Sequence, residues 1–278
     1  MTGKNVKRSL SSNRIVSMFE RLAGRKALIT YITAGDPDLG TTEKLVRGLA
    51  GSGADMVELG IPFSDPMADG PTIQRAIHRS LTAGCTVKKV LDLVKRTRKS
   101  IDVPIAFMTY YNIIFTYGVE RFARAAASSG ADGIIVPDLP MEEAGLLEKA
   151  CRRNNVCLIM LAAPTTSMKR TREISNMSGG FLYYVSLTGV TGERTGLAHG
   201  LKSRVEKLRK ISNVPVCVGF GISTPAQARD IASVSDGVIV GSAVIKIIEK
   251  NLGNRERMLR TVRKFVRDMA DAVHAAKG

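Results

Sequence analysis

The stretch Met56-Val57-Glu58-Leu59-Gly60-Ile61 is an apolar run of strand length that contains one carboxylate, and a loop rich in Pro, Asp and Gly follows it. Because successive side chains of a strand face opposite ways, Val57, Leu59 and Ile61 share one face and Glu58 lies on the other. The apolar face suits packing against helices, so we expect Glu58 to point toward the inside of the sheet. An unpaired ionised carboxylate is costly there, which makes Glu58 a candidate functional residue.

Similar short apolar runs recur along the chain, with segments of helical periodicity between them. The runs are rich in Ile, Val and Leu without polar alternation, which is typical of parallel strands covered by helices. The eight predicted strands are 27–34, 56–61, 105–110, 133–137, 157–162, 181–186, 215–220 and 237–240. The predicted helices between them include 43–52, 87–99, 120–128, 142–153 and 226–232. This alternation predicts an α/β fold, a TIM (β/α)8 barrel.

Two further helices are expected outside the eight repeats. Residues 14–23 predict an extra N-terminal helix that covers the bottom of the barrel, and 254–275 carry an apolar stripe of a closing helix. A chain of 278 residues suits one barrel domain over 1–278, with a flexible basic N-terminus over 1–13.

The composition narrows the function classes. No apolar run is long enough for a membrane span and no signal peptide is evident, so we expect a cytoplasmic protein with no membrane partner. The basic, acid-poor start leaves an organellar transit segment as the alternative. The four cysteines lack metal-ligand spacing and are interpreted as reduced core residues. Much of the net charge of +16 lies in the two ends, and there is neither Trp nor an aromatic-interleaved basic strand. A solvated basic surface is the favoured interpretation and a nucleic-acid partner is not expected, although an acidic partner or weak polyanion binding stays open.

Candidate catalytic groups cluster after strand two, because active sites of TIM barrels lie at the C-terminal ends of the strands. Asp69 lies in the loop that follows Glu58, and two carboxylates in different environments suit separate acid and base roles. The structural alternatives are a buried ion pair for Glu58 and a helix N-cap for Asp69. Tyr183 and Tyr184 are adjacent, so one of them should face the barrel interior. Asp138, at the end of strand four, is a further pocket candidate.

Glycines at the ends of the last three strands predict a phosphate site. Gly192 follows strand six, Gly221 follows strand seven, and Gly241 and Ser242 end strand eight before a helix. Glycine lets backbone N–H groups approach an anion, and a helix N-terminus adds partial positive charge. The Gly- and Thr-rich run 187–201 is predicted to be a mobile loop that closes over a ligand, with an ordinary surface connection as the alternative. No histidine is assigned to a metal or to a base.

Together these segments resemble the tryptophan synthase α chain family over about 27–251. The stretch 58–71 matches the family's signature almost residue for residue, and 110–112, 136–140, 189–192 and 219–223 fit in order. The resemblance implies the barrel fold and a lyase of tryptophan biosynthesis. Its reaction is the reversible retro-aldol cleavage of indole-3-glycerol phosphate to indole and glyceraldehyde 3-phosphate.

The resemblance also implies roles for individual residues. Glu58 matches the general acid/base, Asp69 the carboxylate that binds the indole N–H, and Tyr183 the tyrosine beside the catalytic glutamate. Phosphate contacts fall on Gly192, Gly221, Gly241 and Ser242. Thr191 matches the loop residue that pairs with Asp69, and Tyr110 belongs to the pocket. Leu187 departs from the family pattern, since some members have Arg there.

The family works without metal or organic cofactor on the α chain. Its partner is a β chain that carries pyridoxal phosphate, in an αββα heterotetramer, and the loop after strand two and the 110–112 region are expected to contact it. Two alternatives stay open at this stage. One is an isomerase or synthase for another phosphorylated sugar on the same scaffold, and the other is a non-catalytic, polyanion-binding protein that uses the basic termini.

Overall fold

The computed structural model describes residue 10 and residues 12–185, 194–219 and 221–276, with only the backbone over 194–199. Its strands form one parallel sheet in the order β5-β4-β3-β2-β1-β9-β8-β7-β6. They are β1 (Ala27–Thr33), β2 (Met56–Gly60), β3 (Ile105–Met108), β4 (Gly133–Ile135), β5 (Cys157–Ile159), β6 (Leu161–Ala162), β7 (Leu182–Val185), β8 (Val216–Gly219) and β9 (Gly237–Val240). Only Met160 separates β5 from β6, and these two segments pair with β4 and β7 respectively. They form one interrupted strand, so the sheet is a nearly closed barrel of eight strands, as predicted.

Helices cover the outside of the barrel and one covers its bottom. They are α1 (Arg14–Leu22), α2 (Leu39–Ala50), α3 (Pro71–Thr82), α4 (Val87–Thr97), α5 (Tyr111–Tyr117), α6 (Val119–Ser129), α7 (Gly145–Arg153), α8 (Met168–Met177), α9 (Arg194–Ile211), α10 (Pro225–Ala232), α11 (Ser242–Lys250) and α12 (Arg255–His274). The predicted helices are all present, with ends shifted by a few residues. Helices α3, α5, α8 and α9 were not among the predicted segments; α5 has only seven residues and the start of α9 lacks an apolar stripe.

The prediction of a mobile loop over 187–201 is wrong for its C-terminal part, because α9 begins at Arg194. The later turns of α9 are anchored by Val205 and Leu208, which are fully buried. Once a helix is nucleated, each further residue adds one hydrogen bond. The Gly-rich start can therefore adopt helical backbone without an apolar stripe of its own. Residues 187–193 lie outside the described part of the chain.

Helix α1 covers the bottom of the barrel, as expected. The side chain of Asn13 caps the helix by accepting a hydrogen bond from the Ile15 N–H at 2.9 Å. Ile15 fills the barrel floor, where a Cβ on Gly180 would lie 2.7 Å from its side chain. Of the predicted flexible N-terminus, residues 1–9 and 11 lie outside the described part. Leu10 and Asn13 are buried, so that expectation does not extend to them.

Helix α12 closes the barrel wall with the predicted apolar stripe. Its buried side chains include Met258, Val262, Val266, Met269 and Val273. All four cysteines are buried and free, as predicted. None of the helices over the described residues is both long and apolar enough to cross a membrane.

Candidate active site

Glu58 lies on the inner face of β2 and is fully buried. It is in register with Tyr31 of β1 and Ala106 of β3, in the middle of the barrel. Among the described residues neither of its carboxylate oxygens has a hydrogen-bond partner. Burial therefore raises the pKa of Glu58 to about 8, because nothing compensates the lost hydration of the charged form. No described residue forms the ion pair that was the structural alternative, and at neutral pH most of this group carries its proton.

Two tyrosines extend over glycines on the inner face of the barrel. A Cβ at Gly60 would lie 2.3 Å from the Tyr31 hydroxyl oxygen, and a Cβ at Gly219 would lie 2.7 Å from the Tyr183 hydroxyl oxygen. Burial raises the pKa values of both phenols, and nearby negative charge adds to the rise, mainly from Asp69 for Tyr31 and from Glu58 for Tyr183. Tyr183 is thus the member of its pair that belongs to the inner cluster. The sequence prediction missed Tyr31, although strand alternation puts it on the inner face with Ala27 and Ile29.

Asp69 is held by Tyr110, which follows β3. The Tyr110 hydroxyl donates a hydrogen bond to Asp69 Oδ2 at 2.8 Å and accepts one from the Ala68 N–H at 3.0 Å. Burial raises the pKa of Asp69, and the bond from Tyr110 opposes that rise. The N-cap of α3 is Gly70, so the helix-cap alternative for the Asp69 side chain is excluded. Tyr110 therefore fixes the carboxylate and the loop that carries it.

The predicted phosphate residues that the structure describes follow the neighbouring strands β8 and β9. Gly221 has a φ of +78°, which favours glycine. Gly241 is the N-cap of α11 and makes no side-chain cap, and Ser242 is the first residue of that helix. Gly192 and Thr191 lie outside the described part of the chain. The helix terminus leaves backbone N–H groups free for an anion.

Asp138 does not join this group. Its side chain is exposed, and its carboxylate oxygens accept hydrogen bonds from the Tyr111 N–H at 3.0 and 3.2 Å. Tyr111 is the first residue of α5, so Asp138 stabilises the start of that helix. It supports the Tyr110 segment from outside the barrel.

An ion-pair network ties the helices around this end of the barrel. Arg79 of α3 binds Asp36 through two hydrogen bonds of 2.8 and 2.9 Å, and Asp36 is buried. Arg79 and Arg75 both bind Glu249 of α11. Gln74 Nε2 donates to the Asp69 carbonyl at 2.8 Å. The network thus connects the helix that begins at Ser242 with the helix that follows Asp69.

A buried, protonated carboxylic acid, a second carboxylate oriented by a tyrosine, and an open helix terminus define the class of protein. The groups lie at or near the C-terminal ends of the strands, where TIM-barrel enzymes have their active sites, and they are of the kind that acid–base chemistry needs. Within the described residues no group of three or more His, Cys, Asp or Glu side chains is arranged to hold a metal ion.

Comparisons with known proteins identify the family. The family model of the tryptophan synthase alpha chain matches residues 19–274. The tryptophan synthase alpha chain of Geotalea uraniireducens is 51% identical over 250 residues, which are 88% of this chain and 94% of that relative. The one from Geobacter sulfurreducens is 49% identical and covers 94% of this chain and 99% of its own length.

Solved structures agree with this result. The crystal structure of tryptophan synthase subunit alpha from Legionella pneumophila has a TM-score of 0.87 at 40% identity, and the alignment covers 94% of this chain and 98% of that one. A chain from the structure of Mycobacterium tuberculosis tryptophan synthase has a TM-score of 0.83 at 35% identity and covers 94% and 98%. The chain belongs to the tryptophan synthase alpha chain family. The family, the barrel fold and the lyase class expected from the sequence are thereby confirmed.

Proposed function

We propose that this chain cleaves indole-3-glycerol phosphate to indole and glyceraldehyde 3-phosphate, with Glu58 as the general acid and base. The observation that carries this assignment is the state of Glu58. It is buried, has no hydrogen-bond partner in the described structure, and its pKa is raised to about 8. Such a group holds a proton at neutral pH and is basic enough to take one back, which suits a reaction that needs both transfers.

The reaction needs a proton on C3 of the indole ring and the removal of one from the glycerol hydroxyl next to the breaking bond. Glu58 donates the first proton, so the ring becomes an indolenine cation. Its carboxylate then accepts the hydroxyl proton while the carbon–carbon bond breaks. The bond's electron pair returns to the ring, which releases indole, and the hydroxyl carbon becomes the aldehyde.

Asp69 stabilises the cation that forms between these two steps. Its carboxylate accepts a hydrogen bond from the indole N–H, and its negative charge lies close to the cationic ring. Tyr110 orients this carboxylate at 2.8 Å. Tyr31 and Tyr183 are buried inner-face rings that form walls for an aromatic substrate.

The phosphate group of the substrate is bound where β8 and β9 end, and only β1 lies between β9 and β2. Gly221, Gly241 and Ser242 supply backbone N–H groups there, and the partial charge of the α11 N-terminus favours the anion. Gly192 and Thr191 of the preceding loop are assigned to the phosphate and to Asp69 by the family resemblance alone.

A β chain is the proposed partner, and pyridoxal phosphate belongs to that chain. Exposed apolar side chains support this part of the proposal. Met67 follows β2, Phe115 follows β3 and Leu146 follows β4, with exposed fractions of 93%, 69% and 68%. These three strands are neighbours in the sheet, so their loops share one side of the rim. An αββα assembly in the cytoplasm would cover this surface.

The test is indole release from indole-3-glycerol phosphate, with and without a β chain, for the wild type and Glu58→Gln. We expect weak activity alone, a rise with the partner, and loss in the variant. Glycerol phosphate binding by the variant checks that the barrel stays folded. A variant that binds this ligand and retains wild-type indole release would exclude Glu58 as the acid and base.

The partner surface has a separate test with a matched control. Met67→Ser and Phe115→Ser should weaken binding of a β chain, whereas Leu252→Ser, a comparable change outside this rim, should not. Leu252 has an exposed fraction of 39% and lies between α11 and α12. Equal binding by all three variants would contradict the proposed interface.

A further inference from the structure

The outward face of α12 carries four basic side chains in a row. Arg260, Arg263, Lys264 and Arg267 are all exposed, and we call them the cationic row. Their spacing of three, four and seven residues puts them on one side of the helix, opposite the buried stripe. Seven residues of helix are about 10 Å long, so four positive charges lie within that distance.

Most of this charge is not neutralised by the protein. Lys264 pairs with Asp268 at 3.2 Å. Within the part of the chain that the structure describes, Arg260, Arg263 and Arg267 have no carboxylate within ion-pair distance. Some exposed arginines elsewhere are paired, such as Arg170, which binds Glu142 through both of its terminal nitrogens. Like charges at helical spacing repel one another, so the row carries a free-energy cost that an anion would relieve.

The row lies on an open face that α12 forms by itself. This face also carries Glu256, Leu259 and Asp268. Arg263 also packs against α2, because a Cβ at Gly48 would lie 2.9 Å from its Nε atom. Part of the row is therefore held against the neighbouring helix, which lowers the entropy cost of binding.

The side chains of this face indicate which class of partner it can bind. Large apolar side chains that are exposed in the described structure are Met67, Leu81, Phe115, Leu146 and Leu252, and α12 has none of them. A membrane-binding helix needs apolar groups to insert, and a protein interface needs an apolar or aromatic centre. Arginine's planar fork matches phosphate oxygens, and three of the four cations are arginines. A polyphosphate chain fits this face best.

We propose that the cationic row of α12 is a docking surface for the phosphate backbone of RNA, without sequence preference. Base stacking is not involved, because Phe265, the aromatic residue of α12, is packed against the core. The surface lies on the outer wall of the barrel, whereas Glu58 lies on the inner face of β2. RNA binding and catalysis can therefore occur on the same molecule. The cationic row accounts for only part of the net charge of +16.

The test uses the full chain and a fluorescent oligouridylate of about 20 nucleotides, with affinity measured by anisotropy at several salt concentrations. Each phosphate contact with a single strand contributes a slope of about −0.7 to the plot of log affinity against log salt. Four contacts predict a slope of about −3, or a loss of about 50-fold in affinity between about 50 and 200 mM salt. Arg260→Gln/Arg263→Gln/Arg267→Gln should leave a slope of about −0.7 and a loss of about threefold over the same range.

A control variant with the same loss of net charge separates a site from general attraction. Arg121→Gln/Arg124→Gln/Lys149→Gln removes three exposed cations from α6 and α7 and should keep the wild-type slope. An equal reduction in both triple variants would overturn the proposal. The proposal would also be overturned if the wild-type chain did not bind the oligouridylate but did bind anionic lipid vesicles or polyglutamate, and the α12 variant lost that binding.

Folding of the α12 variant is checked by its indole release, which should equal that of the wild type. If the variant does not fold, photocrosslinking answers the question on the wild-type chain. A 4-thiouridine oligonucleotide should then attach to peptides of α12, and attachment elsewhere only would overturn the proposal. The replacement Arg260→Lys/Arg263→Lys/Arg267→Lys keeps the charge and should retain the salt slope with a lower affinity.

Discussion

The buried carboxyl group of Glu58 should make the chain less stable as the pH rises, and Glu58→Gln should remove that effect. The pKa of Glu58 is about 8 in the folded chain, against 4.5 for the free side chain. Below about pH 4.5 both states carry the proton, so the group contributes no difference. As the pH rises further, the unfolded chain ionises while the folded chain keeps the proton, and the free energy of unfolding falls. The fall ends near pH 8, where the folded state also ionises.

The size of the effect follows from the two pKa values. A difference of one pKa unit corresponds to 1.36 kcal/mol, so the full shift corresponds to about 5 kcal/mol at pH 8 and above, and about 3 kcal/mol at pH 7. Glutamine has nearly the same shape and no charge to bury. The variant should match the wild type within about 1 kcal/mol at about pH 4.5, and should be more stable by about 5 kcal/mol above about pH 8.

Urea unfolding at several pH values measures this difference directly. The quantity to compare is the free energy of unfolding of the variant minus that of the wild type, because contributions from other titrating groups cancel. Glu143→Gln is the control, since Glu143 is exposed, and its difference from the wild type should stay small at every pH. A Glu58→Gln difference that does not change with pH would refute the reasoning, because it would mean that Glu58 pays no desolvation penalty in the folded chain.

Two further predictions concern the groups around Glu58. Tyr110→Phe removes the donor to Asp69, so kcat/KM for indole release should fall about 10- to 100-fold, which corresponds to one buried carboxylate left without its hydrogen bond. Tyr111→Phe is the matched control, and a fall of the same size in both variants would contradict the assigned role. Arg79→Met leaves the buried carboxylate of Asp36 unpaired and should lower the free energy of unfolding by about 3–5 kcal/mol. A change below about 1 kcal/mol in urea unfolding would show that Asp36 is not stabilised by this pair.

The barrel could be predicted from the sequence because parallel strands have a local signature. Each strand is buried on both faces, so it appears as a continuous apolar run whatever its position in the sheet. The interrupted fifth strand was predicted as one run, 157–162, and its break at Met160 is not visible in the apolar pattern. Helix α9 was not predicted, because its first turns have no apolar stripe. These turns are helical because they extend the later turns, which pack on the barrel.

The candidate site was predictable only where a residue conflicts with its local environment. Glu58 is a carboxylate within an apolar strand, and that conflict can be recognised from its neighbours alone. Tyr31 is an aromatic residue within an apolar strand, where it is not unusual, so no local signal marked it. The bond between Tyr110 and Asp69 joins residues that are 41 positions apart. Asp138 was predicted only as a pocket candidate, and its carboxylate accepts hydrogen bonds from the Tyr111 N–H at the start of α5.

The sequence by itself determined the number of strands, the face on which each side chain lies and the position of the carboxylate within β2. These properties follow from a two-residue period that depends only on neighbours in the chain. The tertiary structure alone decided that Glu58 is buried with no hydrogen-bond partner among the described residues, that Tyr110 and not a helix end holds Asp69, and that Arg260, Arg263 and Arg267 have no ion-pair partner in that part of the chain. The physical reason is that hydration, pairing and pKa depend on which distant segments cover a group, and those segments meet only when the barrel closes.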